Sequence, residues 1–71
     1  MYFIEYAKEA KTKDNAIKTG LYNIWTPERI KRAFSFNNGT LKDFDRYRKD
    51  NAPHFCYIEE ISKEEAENLA Y

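Results

Sequence analysis

The chain opens on a dense apolar run, Tyr2–Ala7 ("YFIEYA"), whose aromatic and β-branched residues predict a strand. The stretch Lys8–Asn15 is polar and without period, and reads as a loop or hairpin connection ending at Asp14-Asn15. Apolar character returns over Ala16–Trp25, through Ile17, Leu21, Tyr22, Ile24 and Trp25. Its second half reads as a second strand, with Gly20 as a bulge or kink.

From Thr26 the period lengthens to that of a helix. Thr26 suits the N-cap, Pro27 falls where a missing N–H costs nothing, and Glu28 complements the dipole in the first turn. Trp25 and Ile30 have the spacing of a hydrophobic staple, and Ile30, Ala33 and Phe34 make one apolar stripe. Asn37-Asn38-Gly39 stops this helix near Phe36. Thr40, with Asp43 three residues on, caps a second helix that turns Leu41, Phe44 and Tyr47 inward. Because Asn-Gly is also a strong hairpin signal, residues 34–44 admit a rival reading as two strands, against which Leu41–Lys49 alternates poorly.

Pro53 forces Ala52 out of the helical region, and "HFCYIEEI" (His54–Ile61) predicts a third strand. Ser62 and Glu65 form a capping box for a last helix whose inward stripe is Ala66, Leu69 and Ala70. The expected order is β-β-α-α-β-α. It describes a small single α+β domain over residues 1–71, with a three-stranded, mainly antiparallel sheet covered on one face by helices.

A chain of 71 residues hides only about 60% of its unfolded surface, so a deep catalytic cavity would compete with the core for apolar side chains. Six Tyr, five Phe and one Trp supply that core, and Tyr in such number also suits a contact surface. The lone Cys56 allows no internal disulfide, which fits a reducing compartment or simply the absence of any use for one. Glu5, Lys8 and Glu9 interrupt the first eleven residues, so no targeting signal is read there. No stretch has the length of a membrane span, and Asn38-Gly39-Thr40 is a chance match to a glycosylation acceptor. The expected location is cytoplasmic.

Charge divides the chain although it sums to zero. Residues 26–49 hold seven basic groups against three acidic ones, a local charge of +4, and residues 51–71 hold five Glu against Lys63, a local charge of −4. The basic stretch is interleaved with Phe34, Phe36, Phe44 and Tyr47, which are the ingredients of phosphate contact and base stacking. The segment Thr26–Tyr47 also resembles the helix-turn-helix pattern, in Ile30, Phe34, small Ser35, Phe36, Asn37-Asn38, Thr40-Leu41 and Phe44. It departs from that pattern at Lys31, where such units carry a small residue, and in lacking a helical stripe before the motif.

Candidate chemistry is sparse. His54 and Cys56 share a strand face, but no second Cys or His exists to complete a zinc site with them. Nor does either have the surroundings of a Cys–His nucleophile pair. Glu59 and Glu60 fall on opposite faces of a strand, Glu64, Glu65 and Glu67 read as the solvated face of the last helix, and two glycines make no phosphate cradle. The expectation is a protein without enzymatic activity or cofactor that works by binding.

Such small, motif-poor chains are frequent in phages and other mobile elements, and by that analogy of size an accessory or inhibitor protein is expected. Contact with a protein partner, or self-association into a homodimer through an exposed sheet edge, is the leading reading. Nucleic-acid binding by the helix-turn-helix-like segment is the alternative. The expected interaction surface comprises Arg29, Lys31, Arg32, Lys42, Arg46, Tyr47, Arg48 and Lys49.

Overall fold

A computed structural model describes residues 1–34, 41–55 and 57–70, with the side chains of 33, 34 and 41–43 outside that description. The described elements run β1 (Tyr2–Tyr6), a single 3-10 turn (Lys8–Ala10), α1 (Lys13–Thr19), β2 (Tyr22–Trp25), α2 (Pro27–Phe34), α3 (Leu41–Asn51), β3 (Tyr57–Ile61) and α4 (Lys63–Leu69). The strands form one antiparallel sheet in the order β2-β1-β3, so the fold is the small α+β domain that the sequence predicts.

The start of the chain becomes the centre of the sheet. Phe3, Ile4, Glu5, Tyr6 and Ala7 are all buried, as befits a strand with neighbours on both sides and cover on both faces. Alternation sends Ile4 and Tyr6 to one face, where Ile24, Ile61 and the small residues Ala10, Ala16 and Ala66 pack around them. Phe3 goes to the other face, against Trp25 and Phe44, with Ile30, Tyr47 and Ile58 around the cluster. Phe44 meets the Trp25 ring edge-on at 4.9 Å and the Phe3 ring at 5.5 Å. Thus α1 and α4 cover one face and α2 and α3 the other, where the sequence reading placed all helices on one face. Alanines permit the close approach of the first pair, and aromatic rings fill the space beneath the second.

The connection read as loop or hairpin contains α1. Thr12 caps it by accepting the Asn15 N–H, and Gly20 ends it in the left-handed conformation at φ 77°. Gly20 is therefore a helix terminator and not a strand bulge. On the same sheet face Lys13 of α1 meets Glu65 of α4 at 3.3 Å.

Predicted caps hold elsewhere. The Thr26 hydroxyl accepts the Arg29 N–H at 3.1 Å, and Ile30 packs with the Trp25 cluster as the staple requires. Ser62 accepts the Glu65 N–H at 3.0 Å, although the Glu65 carboxylate turns to Lys13 instead of closing the box. Both flanks of the segment read alternatively as a hairpin are helical, and the Asn37-Asn38-Gly39 turn and the Thr40 cap lie outside the described residues. The third strand begins at Tyr57, after a turn over residues 53–54.

The buried interior holds one charged knot. Glu5 and Arg48 are 1% and 2% exposed, with Glu5 Oε2 and Arg48 Nη1 3.6 Å apart. Glu5 Oε1 accepts from Asn23 across the β1–β2 pair, at 3.1 Å. Arg48 donates to the Phe55 carbonyl at 2.7 Å and to the Asp45 carboxylate one turn back. The strand β1 is thereby tied to α3 and to the turn that leads into β3.

Candidate functional site

Sheet order decides where backbone remains available. With β1 in the middle, β2 and β3 are the edges. The Ala7 N–H donates to the Leu21 carbonyl at 3.0 Å, which sets the ladder phase. In that phase Asn23 and Trp25 direct their main-chain groups to β1, whereas Tyr22 and Ile24 direct theirs to the free side. One contact agrees: Arg29 Nη1 from α2 donates to the Ile24 carbonyl at 2.7 Å.

An open groove of about 600 Å³ follows this free edge. Its floor is Gly20 and the β2 residues Tyr22, Asn23 and Ile24, with Thr26 at one end. Arg29 and Arg32 of α2 form one wall, and Leu69 and Ala70 at the end of α4 form the other. Tyr22 braces the second wall, its hydroxyl donating to the Leu69 carbonyl at 2.9 Å. A smaller hollow of about 280 Å³ adjoins, between Trp25, Arg29, Arg32 and Tyr47. There the Arg29 guanidinium lies 4.3 Å from the Trp25 ring centroid, a cation–π contact that fixes its plane. The Trp25 indole N–H is buried without a hydrogen-bond partner among the described residues.

The groove wall carries two cations and no anion among the described residues. Neither Arg29 nor Arg32 belongs to an ion pair among those residues, in contrast to Lys13, Arg48, Lys49 and Lys63.

The expected basic surface is only partly assembled. Arg29 and Arg32 converge on the groove, and Tyr47 stands beside them, half-buried. Lys31 and Arg46 are exposed but line neither hollow. Lys49 is held by Asp45 at 3.1 Å. Arg48 is a correction: it lies in the interior, since it follows Phe44 by one helical turn and meets Glu5 there. The Lys42 side chain lies outside the described residues. Among the groove residues, Tyr22, Asn23, Ile24 and Leu69 escape sequence reasoning, because only the strand order makes β2 an edge.

Two titrations are displaced by these contacts. The Tyr6 hydroxyl donates to Glu59 at 2.6 Å, which with burial pushes its pKa up to about 12. Burial raises the Asp45 carboxyl, but its hydrogen bond from Lys49 and the neighbouring Arg48 charge outweigh that and hold it below the usual carboxylate range.

Cys56 lies outside the described residues, and His54 is exposed, its ring against Phe55 at 4.7 Å. No cluster of metal-ligating side chains occurs among the described residues, and no helix there is long and apolar enough to cross a membrane. Comparison with protein-family models, curated proteins and solved structures finds no match to this chain.

Proposed function

We propose that this protein acts without catalysis, by taking an extended segment of a protein partner along the free edge of β2. The observation that carries the reading is the groove over Tyr22–Ile24, in which outward main-chain groups lie between two walls of side chains. Strand addition uses main-chain hydrogen bonds for affinity and flanking pockets for selection. Three strands make a narrow sheet, and a fourth would extend it.

Charge favours a different protein over a second copy paired like to like. Two β2 edges brought together would set Arg29 and Arg32 of each copy against those of the other. Two β3 edges would do the same with Glu60, which is exposed. Like charges directly opposed across strands are destabilising. The nucleic-acid reading loses one of its cations, Arg48, to the interior, and a second, Lys49, is exposed but paired with Asp45.

The test is selection from a displayed library of short random peptides, followed by mapping of a selected peptide on the protein's amide resonances. Shifts centred on Tyr22, Ile24, Arg29 and Arg32 are expected, undisturbed by a mixed-sequence oligonucleotide. Selected peptides that move β3 or α3 and leave β2 still would overturn the reading. So would an oligonucleotide that displaces them.

A further inference from the structure

We infer that the segment taken along β2 is acidic at alternate positions, and that Arg29 enforces this choice by guarding the Ile24 carbonyl. The inference rests on the reading of β2 as a docking edge and adds what the docked strand must carry.

The starting point is the 2.7 Å hydrogen bond from Arg29 Nη1 to the Ile24 oxygen. That oxygen is one of the outward acceptors on β2, and a strand pairing there needs it for its own N–H. Arg29 already occupies it, and the incoming N–H competes with that guanidinium. A neutral partner returns a neutral N–H to Ile24 but gives the displaced guanidinium nothing, and charge-assisted bonds are roughly twice as strong as neutral ones. An acidic partner balances the exchange: its N–H takes the Ile24 carbonyl and its carboxylate takes Arg29. The same contact that blunts the edge in the free protein thus becomes a filter on what may pair with it.

Arg32 adds a second reading point. It sits one turn beyond Arg29, is exposed, has no ion-pair partner among the described residues, and lines both the groove and the adjoining hollow. Side chains three apart on a helix stand roughly 5–6 Å apart at Cβ. Same-face side chains of an extended strand recur at roughly 6.5 Å. The two arginines therefore match two carboxylates separated by one residue. Among the described residues no acidic side chain lines the groove to compete for them.

The probes are three versions of one selected edge-binding peptide, with Glu, Gln or Lys at the two alternate positions. Binding is followed by the emission of Trp25, the sole tryptophan, whose ring Arg29 covers at 4.3 Å. The Glu peptide is expected to bind about tenfold tighter than the Gln peptide, a gap that corresponds to one good charge-assisted contact and shrinks with added salt. The Lys peptide binds more weakly than either. Arg32→Ala should weaken the Glu peptide and spare the Gln peptide. Arg29→Met should tighten the Gln peptide, because the carbonyl is then open, and so narrow the Glu-to-Gln ratio. Amide spectra of both variants report whether the fold is kept, and Arg29→Leu, which also removes the charge, serves in place of Arg29→Met if it is not. Equal affinity of the three peptides, with shifts still centred on Tyr22 and Ile24, would overturn the acidic preference and leave the docking edge standing. Shifts elsewhere would overturn both. Concentration-dependent self-association that the Glu peptide cannot compete away would assign the edge to a second copy and also overturn the inference.

Discussion

Removing the Arg48 guanidinium tests whether the buried charge knot holds the two layers of the fold together. Arg48→Met keeps the stem volume that packs in α3 and deletes every polar contact of the head. Three consequences follow from the geometry. The Phe55 carbonyl loses its 2.7 Å donor, Asp45 loses the nearer of its cations, and Glu5, 1% exposed, is left with Asn23 as its partner among the described residues. Uncompensated burial of the remaining charge dominates, and breaking such a pair costs about 3–5 kcal/mol. A domain of 71 residues has roughly 4–11 kcal/mol in all at 0.05–0.15 kcal/mol per residue, so the variant loses from about a quarter to all of its stability. The opposite single change, Glu5→Gln, is milder. Arg48 keeps Asp45 and Phe55, and Glu5 Oε2 stands at 3.6 Å, beyond hydrogen-bonding length, so about 1–2 kcal/mol is expected. The double variant Glu5→Leu with Arg48→Met removes both buried charges and should recover most of the loss. Urea melts followed by far-ultraviolet circular dichroism give each free energy, and the single variant Glu5→Leu closes the cycle that gives the coupling. A cost for Arg48→Met below about 1 kcal/mol, or a double variant less stable than Arg48→Met alone, would refute the reasoning.

Three further outcomes are expected. Tyr6 is held protonated in the folded chain up to about pH 12, so its contribution is complete below pH 10 and is lost as pH rises between the two; Tyr6→Phe should cost about 1 kcal/mol near neutrality and flatten that alkaline limb in urea titrations. Asp45 is held below its ordinary 3.8, so it stabilises the fold above that pH and ceases to as pH falls through its lower folded value; Asp45→Asn should show a shallower acid limb in the same measurement. Gly20→Ala meets no side chain within 4 Å, so its cost is that of the left-handed backbone alone, about 1 kcal/mol, visible as a melting temperature lower by about 4–8 °C.

How far the sequence revealed this fold depends on whether each signal was local. The strands β1 and β3 and the helices α2, α3 and α4 announce themselves by caps and periods a few residues long, and all are present. The helix α1 was hidden by its own polarity. Only Ala16 and Ile17 turn inward, and Lys13, Asp14, Asn15, Lys18 and Thr19 leave no stripe to recognise. Its two ends were nonetheless written in Thr12 and Gly20. The interior place of Arg48 was half legible, since it continues the face of Phe44, but its partner Glu5 lies on a strand at the far end of the sequence. A glutamate inside an apolar run should itself have asked for a buried cation. The groove was not legible at all. It exists because β1 takes the middle of the sheet and leaves β2 outside, and no residue near β2 encodes that order.

The two edges of the sheet are protected by different means, and that difference argues for β2 as the working edge. The strand β3 carries Glu59 and Glu60 in succession, so an approaching strand finds a carboxylate on each face. Both are exposed, they are part of the strand, and they cannot step aside. The strand β2 has no charged residue of its own, only Tyr22, Asn23, Ile24 and Trp25. Its guard is borrowed from α2, at the end of a long side chain that pivots on the Trp25 ring and makes one hydrogen bond to the edge. A guard of that kind excludes casual pairing yet yields to a ligand that offers it a carboxylate. An edge meant only to stay closed is better served by charge built into the strand, as on β3. The removable form has a use where something is admitted.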